Sequence, residues 1–157
     1  MADNVRIVEL KIGRIDSPEG AALAAAHLAE MEVRYGEPDE WDGLDPDQLA
    51  APYGTFVIAW LDDVAAACGG LRRIDDATGE VKRMFVAADA RRRGIARAVL
   101  AELEATARGI GYTRLILETG TKQPEAIALY ESHGYEPVTP YGVYKDSPHS
   151  RCFAKNL

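Results

Sequence analysis

The chain has 157 residues, 47% of them hydrophobic and 27% charged, a length and balance that describe one folded domain over 1–157 and exclude a disordered or low-complexity protein. Its net charge of −7 argues against a general nucleic-acid surface. No apolar run approaches the ~20 residues of a membrane helix, and the start MADNVRIVEL lacks the profile of a secretory signal, so a cytoplasmic protein without a membrane partner is expected.

Residues 5–12 (VRIVELKI) are rich in β-branched types and predict a strand. A helix follows over 17–36, with Ser17 to cap it, Pro18 at its first position and Gly36 to end it. Residues 37–54 collect six carboxylates, three prolines, two glycines and Trp41, which predicts a loop with one short helix at DPDQLA. TFVIAWL (55–61) and 64–74 read as strands around an Asp62-Asp63 turn, and Thr78-Gly79 reads as the next turn, before a strand over 80–87. In the following helix, 92–109, Ala96, Val99, Leu100, Leu103, Ala107 and Ile110 share a face, while Glu102 and Glu104 take others. RLILET (114–119) is a buried strand, PEAIALYESHG a short helix between its Pro and Gly, and YEPVTPYGVY and SRCFAKNL are two closing strands. The order predicts an α/β domain: a mixed sheet of about seven strands, antiparallel first, with a parallel crossover in the middle and flanking helices. Cys68 and Cys152 lack metal-ligand spacing and read as buried thiols, and the scattered His27, His133 and His149 suggest no metal.

The stretch RRRGIAR (91–97) is unusual for its place. A helix's first turn has N–H groups without internal partners and a partial positive charge. Arg91, Arg92 and Arg93 at such an entrance oppose that field. Gly94 leaves the backbone approachable and Ala96 keeps the next position small, the make-up of an anion cradle. A solvated arginine cluster beside a turn glycine accounts for the same residues equally well. Neither GxxxxGK[ST] nor GxGxxG occurs.

With its context, Arg91-x-x-Gly94-x-Ala96 matches the [Q/R]-x-x-G-x-[G/A] signature, and the chain resembles the GNAT N-acetyltransferase superfamily. GEVKRMFV (79–86) resembles that family's central strand, and EAIALYESHGYEP (125–137) its second hallmark helix; the likeness runs from about Thr55 to Pro137. The resemblance implies a twisted mixed sheet whose halves splay apart at the strand before the arginine loop. It implies acetyl-CoA as donor and coenzyme A as product. By the same likeness, the backbone at Phe85 and Val86 pairs with the pantetheine arm. Arg91 and Arg92, with Gly94, Ile95 and Ala96, hold the pyrophosphate, and Arg93 or Arg97 meets the 3′-phosphate or solvent. Gln123 stands where the family often has an asparagine contacting the cofactor arm. Tyr130 matches the tyrosine that protonates the departing thiolate, and its ordinary pKa of about 10 suits an acid at neutral pH; the alternative is a core tyrosine. Glu80 matches a glutamate that deprotonates the amine, often through water; the alternative is an exposed glutamate at a strand start.

In such a family the acceptor is gripped by the early helices, the loop after them and the last strands. Here these hold Trp41, Tyr53, Tyr141, Tyr144 and His149. The carboxylates of 37–54 suit a cationic amine, whereas Arg72 or Arg73, of which one faces the cleft, suits a substrate carboxylate. A small-molecule primary amine is the expected acceptor. A protein N-terminus or lysine, and a non-catalytic acyl-CoA sensor, are the alternatives. A homodimer through sheet edges is implied by analogy, with 150–156 as the candidate edge.

Overall fold

The computed structural model describes residues 8–36, 44–142 and 144–157. Its strands are β1 (Val8–Ile12), β2 (Thr55–Leu61), β3 (Val64–Arg73), β4 (Thr78–Val86), β5 (Arg114–Gly120), β6 (Glu136–Val138) and β7 (Ser150–Asn156). Its helices are α1 (Pro18–Tyr35), α2 (Ile95–Ile110) and α3 (Pro124–Ser132). The strands form one sheet in the order β1-β2-β3-β4-β5-β7-β6, antiparallel throughout except for the parallel pair β4–β5. The α/β class, the seven strands and the central parallel crossover agree with the reading of the sequence.

Local signals set the boundaries of α1. Ser17 Oγ accepts the Gly20 N–H at 3.0 Å, Pro18 opens the first turn, and Gly36 closes the helix at φ 73 with its N–H on Glu32 O. Asp62 and Asp63 both take positive φ, at 50 and 65, and so form the tight β2–β3 turn. The short helix near DPDQLA is a 3-10 turn over Pro46–Leu49, capped by Asp45.

Five expectations are corrected. Thr78 and Gly79 belong to β4, and the turn lies just before them, where Asp75 Oδ1 accepts the Ala77 N–H at 2.9 Å. Gly79 is there for packing: a Cβ on it would meet Leu71 at 2.8 Å and Tyr112 at 2.9 Å. The second helix starts at Ile95, so the three arginines precede the N-cap Gly94 and do not occupy the first turn. Among the described residues of 135–144 only Glu136–Val138 pairs as a strand, and Pro140, which has no N–H to donate, follows just beyond it. Strand β7 lies between β5 and β6, so 150–156 is no edge; β1 and β6 are the edges. Glu104 is not on an outer face but buried, and Lys155 Nζ from β7 reaches its Oε2 at 2.7 Å.

The sheet has two faces. On one, α2 and α3 cover a core of Val57, Ala59, Leu71, Val81, Leu103, Leu115, Leu117, Tyr130 and Phe153. On the other, Leu23 of α1 packs with Phe56, Ile58, Cys68 and Phe85. Both cysteines are buried and unpaired, as expected, and burial pushes the Cys68 thiol up to about 12.

Candidate active site

Strands β4 and β5 pair only from Thr78↔Arg114 to Val81↔Leu117, and beyond that they part. The divergence coincides with a bulge. The β3–β4 register passes from Gly70↔Lys82 to Cys68↔Phe85, so two residues of β4, Arg83 and Met84, oppose the single Gly69 of β3. The extra residue leaves Arg83 at φ 58, and its carbonyl accepts the Cys68 thiol at 3.3 Å. A bulge bends its strand and exchanges its faces. Val81 therefore points to the α2 core while Phe85, four residues on, points to the α1 side. The result is a fork whose β4 lip leads straight into the arginine loop.

At the end of that lip, Gly94 has φ 75 and ψ 11, a left-handed conformation that suits glycine. Nothing lies within 4 Å of where its Cβ would be, so the space there is open. No side chain caps α2, and no acidic residue lies in its first turn. The first N–H groups, at Ile95 and Ala96, therefore have no intrahelical or capping partner and suit an anion. Ile95 itself is buried in the core, Ala96 half-buried, and Arg92 and Arg93 exposed. Arg92 also has positive φ, at 64. Arg91 behaves differently. Its Nε donates to Val86 O at 3.0 Å, and its Nη2 meets both Glu30 oxygens at 2.6 and 2.7 Å. Phe85 is buried, stacked on His27 with centroids 5.3 Å apart. Across the fork, Gln123 precedes α3 without capping it, and its Oε1 accepts the Tyr35 hydroxyl at 3.1 Å.

A polar cluster occupies the α1 face of the fork. Glu80 is not exposed: it is 3% accessible, and Arg72 Nε donates to its Oε1 at 2.6 Å. Arg73 points the other way, over the Tyr53 ring at 4.6 Å and onto Asp76. Of the two arginines, then, Arg72 is the one at the cleft. Lys82 Nζ lies 4.0 Å from Glu80 Oε1. Glu118, which sequence reasoning missed, is the first β5 residue past the end of pairing. Its Oε2 accepts from Ser150 Oγ at 3.1 Å and Cys152 Sγ at 3.6 Å. Desolvation raises its carboxyl above the ordinary value; those two donors and Lys82 oppose the rise, and Glu80 adds to it. Tyr141 inserts from the 139–149 loop. Its hydroxyl is buried beside the Glu80 carboxylate, and burial first, then the charge of and a hydrogen bond to Glu80, with Cys152 and Glu118 adding less, raise its pKa. Tyr144 is half-buried in the same loop, and Trp41 lies outside the described residues.

Tyr130 sits on α3 inside the other core, its ring edge-on to Tyr135 at 5.7 Å. Burial raises its pKa, so the phenol keeps its proton. Among the described residues no group of His, Cys, Asp and Glu is arranged to hold a metal, and no helix is long and apolar enough to cross a membrane.

Residues 21–135 match the acetyltransferase (GNAT) family. Over 152 residues the chain is 34% identical to "Uncharacterized N-acetyltransferase YsnE" of Bacillus subtilis, covering 96% of this chain and all of that one. It is 38% identical to an IAA acetyltransferase of Azospirillum brasilense over 73% of this chain and 75% of the other. Among solved structures, the "putative acyl-CoA N-acyltransferase from Klebsiella pneumoniae" superposes with TM-score 0.81 at 28% identity, covering 96% of this chain and 98% of that one.

Proposed function

The chain belongs to the acetyltransferase (GNAT) family, and on that premise we propose that it moves an acetyl group from acetyl-CoA to a primary amine of a small molecule by direct attack. One observation carries the reading: the β4–β5 fork opens toward the uncapped start of α2, with Arg92 and Arg93 exposed beside it. An acyl-CoA needs both parts, a slot for its arm and a cationic, N–H-rich seat for its diphosphate.

In this reading the backbone of Phe85 and Val86, on the unpaired side of β4, takes the pantetheine arm, with Gln123 facing it. Gly94, Ile95, Ala96 and Arg92 hold the diphosphate, and Arg91 shapes the loop that presents them. Acetyl-CoA, when bound, supplies an activated acetyl thioester. The amine nitrogen forms the new C–N bond as the C–S bond breaks; Tyr130 gives its proton to the leaving sulfur, and a carboxylate takes the proton from nitrogen. Glu80 takes it through water in the first reading. Glu118 is the second, favoured because its donors are a hydroxyl and a thiol where those of Glu80 include a guanidinium. Arg72 and Tyr144 line the acceptor side.

Calorimetric titration with coenzyme A, followed by thiol release from acetyl-CoA over a panel of amines and peptides, tests the proposal. Binding with release on small amines is expected. Binding without release on any acceptor means an acyl-CoA sensor, and release only on peptides means a protein acetyltransferase. No binding by the folded protein overturns the reading.

A further inference from the structure

Past Val81 and Leu117 no strand pairing joins the two lips of the fork. Something else spans them: the last two turns of α1. On the β4 side, Glu30 holds Arg91 through both carboxylate oxygens, and Arg91 in turn holds the end of β4 at Val86 O. On the β5 side, Arg34 Nη1 donates to Lys122 O at 2.8 Å and its Nη2 pairs with Glu125 at the start of α3. One turn apart, Arg34 and Glu30 meet at 3.4 Å. Tyr35 then reaches Gln123, and its hydroxyl fills the space a side chain at Gly120 would need. The chain of contacts therefore runs unbroken from the last residue of β4 to the first turn of α3. The Glu30, Arg34 and Arg91 side chains are 25%, 21% and 33% exposed, so the pairs are partly shielded from solvent and salt.

We propose that Glu30 and Arg34 are positioning residues for the coenzyme: they form a strap that fixes the distance between the arginine loop and the β5–α3 loop. The inference rests on the acyl-CoA reading of the fork. Glu30 is the anion between two guanidiniums. Without its charge Arg91 and Arg34 repel each other, and the lips that must close on one ligand drift independently. Arg91 contributes through this tie, with its guanidinium on Glu30 and not on the diphosphate.

The test uses Glu30→Gln, Arg34→Met, Arg91→Met and the pair Glu30→Gln/Arg91→Met, each titrated with coenzyme A. Each single variant is expected to weaken binding about tenfold, the effect of about 1.4 kcal/mol. The pair should lose clearly less than the sum of its two single variants, because both changes cut the Glu30–Arg91 contact and only Glu30→Gln also frees Arg34. Amide exchange should rise together in 88–94 and 121–123 in Glu30→Gln, a response that a merely less stable helix would not give. Unchanged or tighter binding by Glu30→Gln, or additive losses in the pair, overturns the strap and leaves the acyl-CoA reading intact. If the parent protein itself binds no coenzyme A, both fall.

Discussion

Tyr130 packs its ring in the core edge-on to Tyr135 and stays 5% exposed, so the ring packs whether or not its hydroxyl reacts. Tyr130→Phe keeps the ring and removes only the proton. Turnover should fall about 10²-fold, the range of a lost general acid, with coenzyme A affinity unchanged by calorimetry; undiminished turnover would remove Tyr130 from the chemistry. Glu118 has a different signature. Its folded-state pKa is raised from 4.5 by desolvation, so the folded protein keeps that proton longer than the unfolded chain. The associated stability is present below 4.5 and is lost as pH rises through the folded value. Glu118→Gln should therefore gain stability over the parent in urea unfolding above that window and not below it. The same variant should flatten the acid limb of the kcat/KM profile, while Glu80→Gln leaves the limb in place and loosens Arg72. Neither behaviour was legible in the sequence. Glu80 drew attention by its motif, but its partner Arg72 lies across a hairpin and the donors to Glu118 are more than thirty residues away. Arg91, likewise, meets a carboxylate 61 residues upstream.

At the scale of elements, the signals that were legible are the local ones. Ser17, Pro18 and Gly36 bound α1 because a cap, a first-turn proline and a left-handed glycine act within one turn. The bulge in β4 has no such mark. Arg83 takes positive φ because of how β3 and β4 align, and alignment is a property of two strands together. Gly79 misled for a related reason: it resembles a turn residue in sequence, yet it is the gap that Leu71, Tyr112 and Leu115 fill. Gly79→Ala should cost about 1–3 kcal/mol in denaturant unfolding, as overpacking does; a turn glycine of negative φ would tolerate alanine with little change.

The whole molecule is two half-sheets hinged on a short parallel pairing. Strands β1 to β4 form one half and β5 to β7 the other, joined by the four register pairs from Thr78↔Arg114 to Val81↔Leu117. Each face carries a tie across the hinge. On one it is α1, through Glu30 and Arg34; on the other it is α2, which packs on β2, β3 and β4 and reaches β7 through Glu104 and Lys155. Lys155→Met would leave the Glu104 carboxylate buried without its cation. The cost should be roughly 2 kcal/mol, below the 3–5 of a fully enclosed pair because the Lys155 side chain is 22% exposed. Thermal unfolding should show the loss, and Glu104→Leu added to Lys155→Met should restore much of it.

The roof over Glu80 and Glu118 is made differently from the rest. Helix α1 packs on β3 and β4, whereas Tyr141 reaches the carboxylates from the connection between β6 and β7. The half that would grip the nucleotide is thus framed by a helix and strands, and the half that would choose the amine is framed by a connection between two strands. On the proposed function, a new acceptor would call for rewriting that one connection and would leave the seat of the donor as it is.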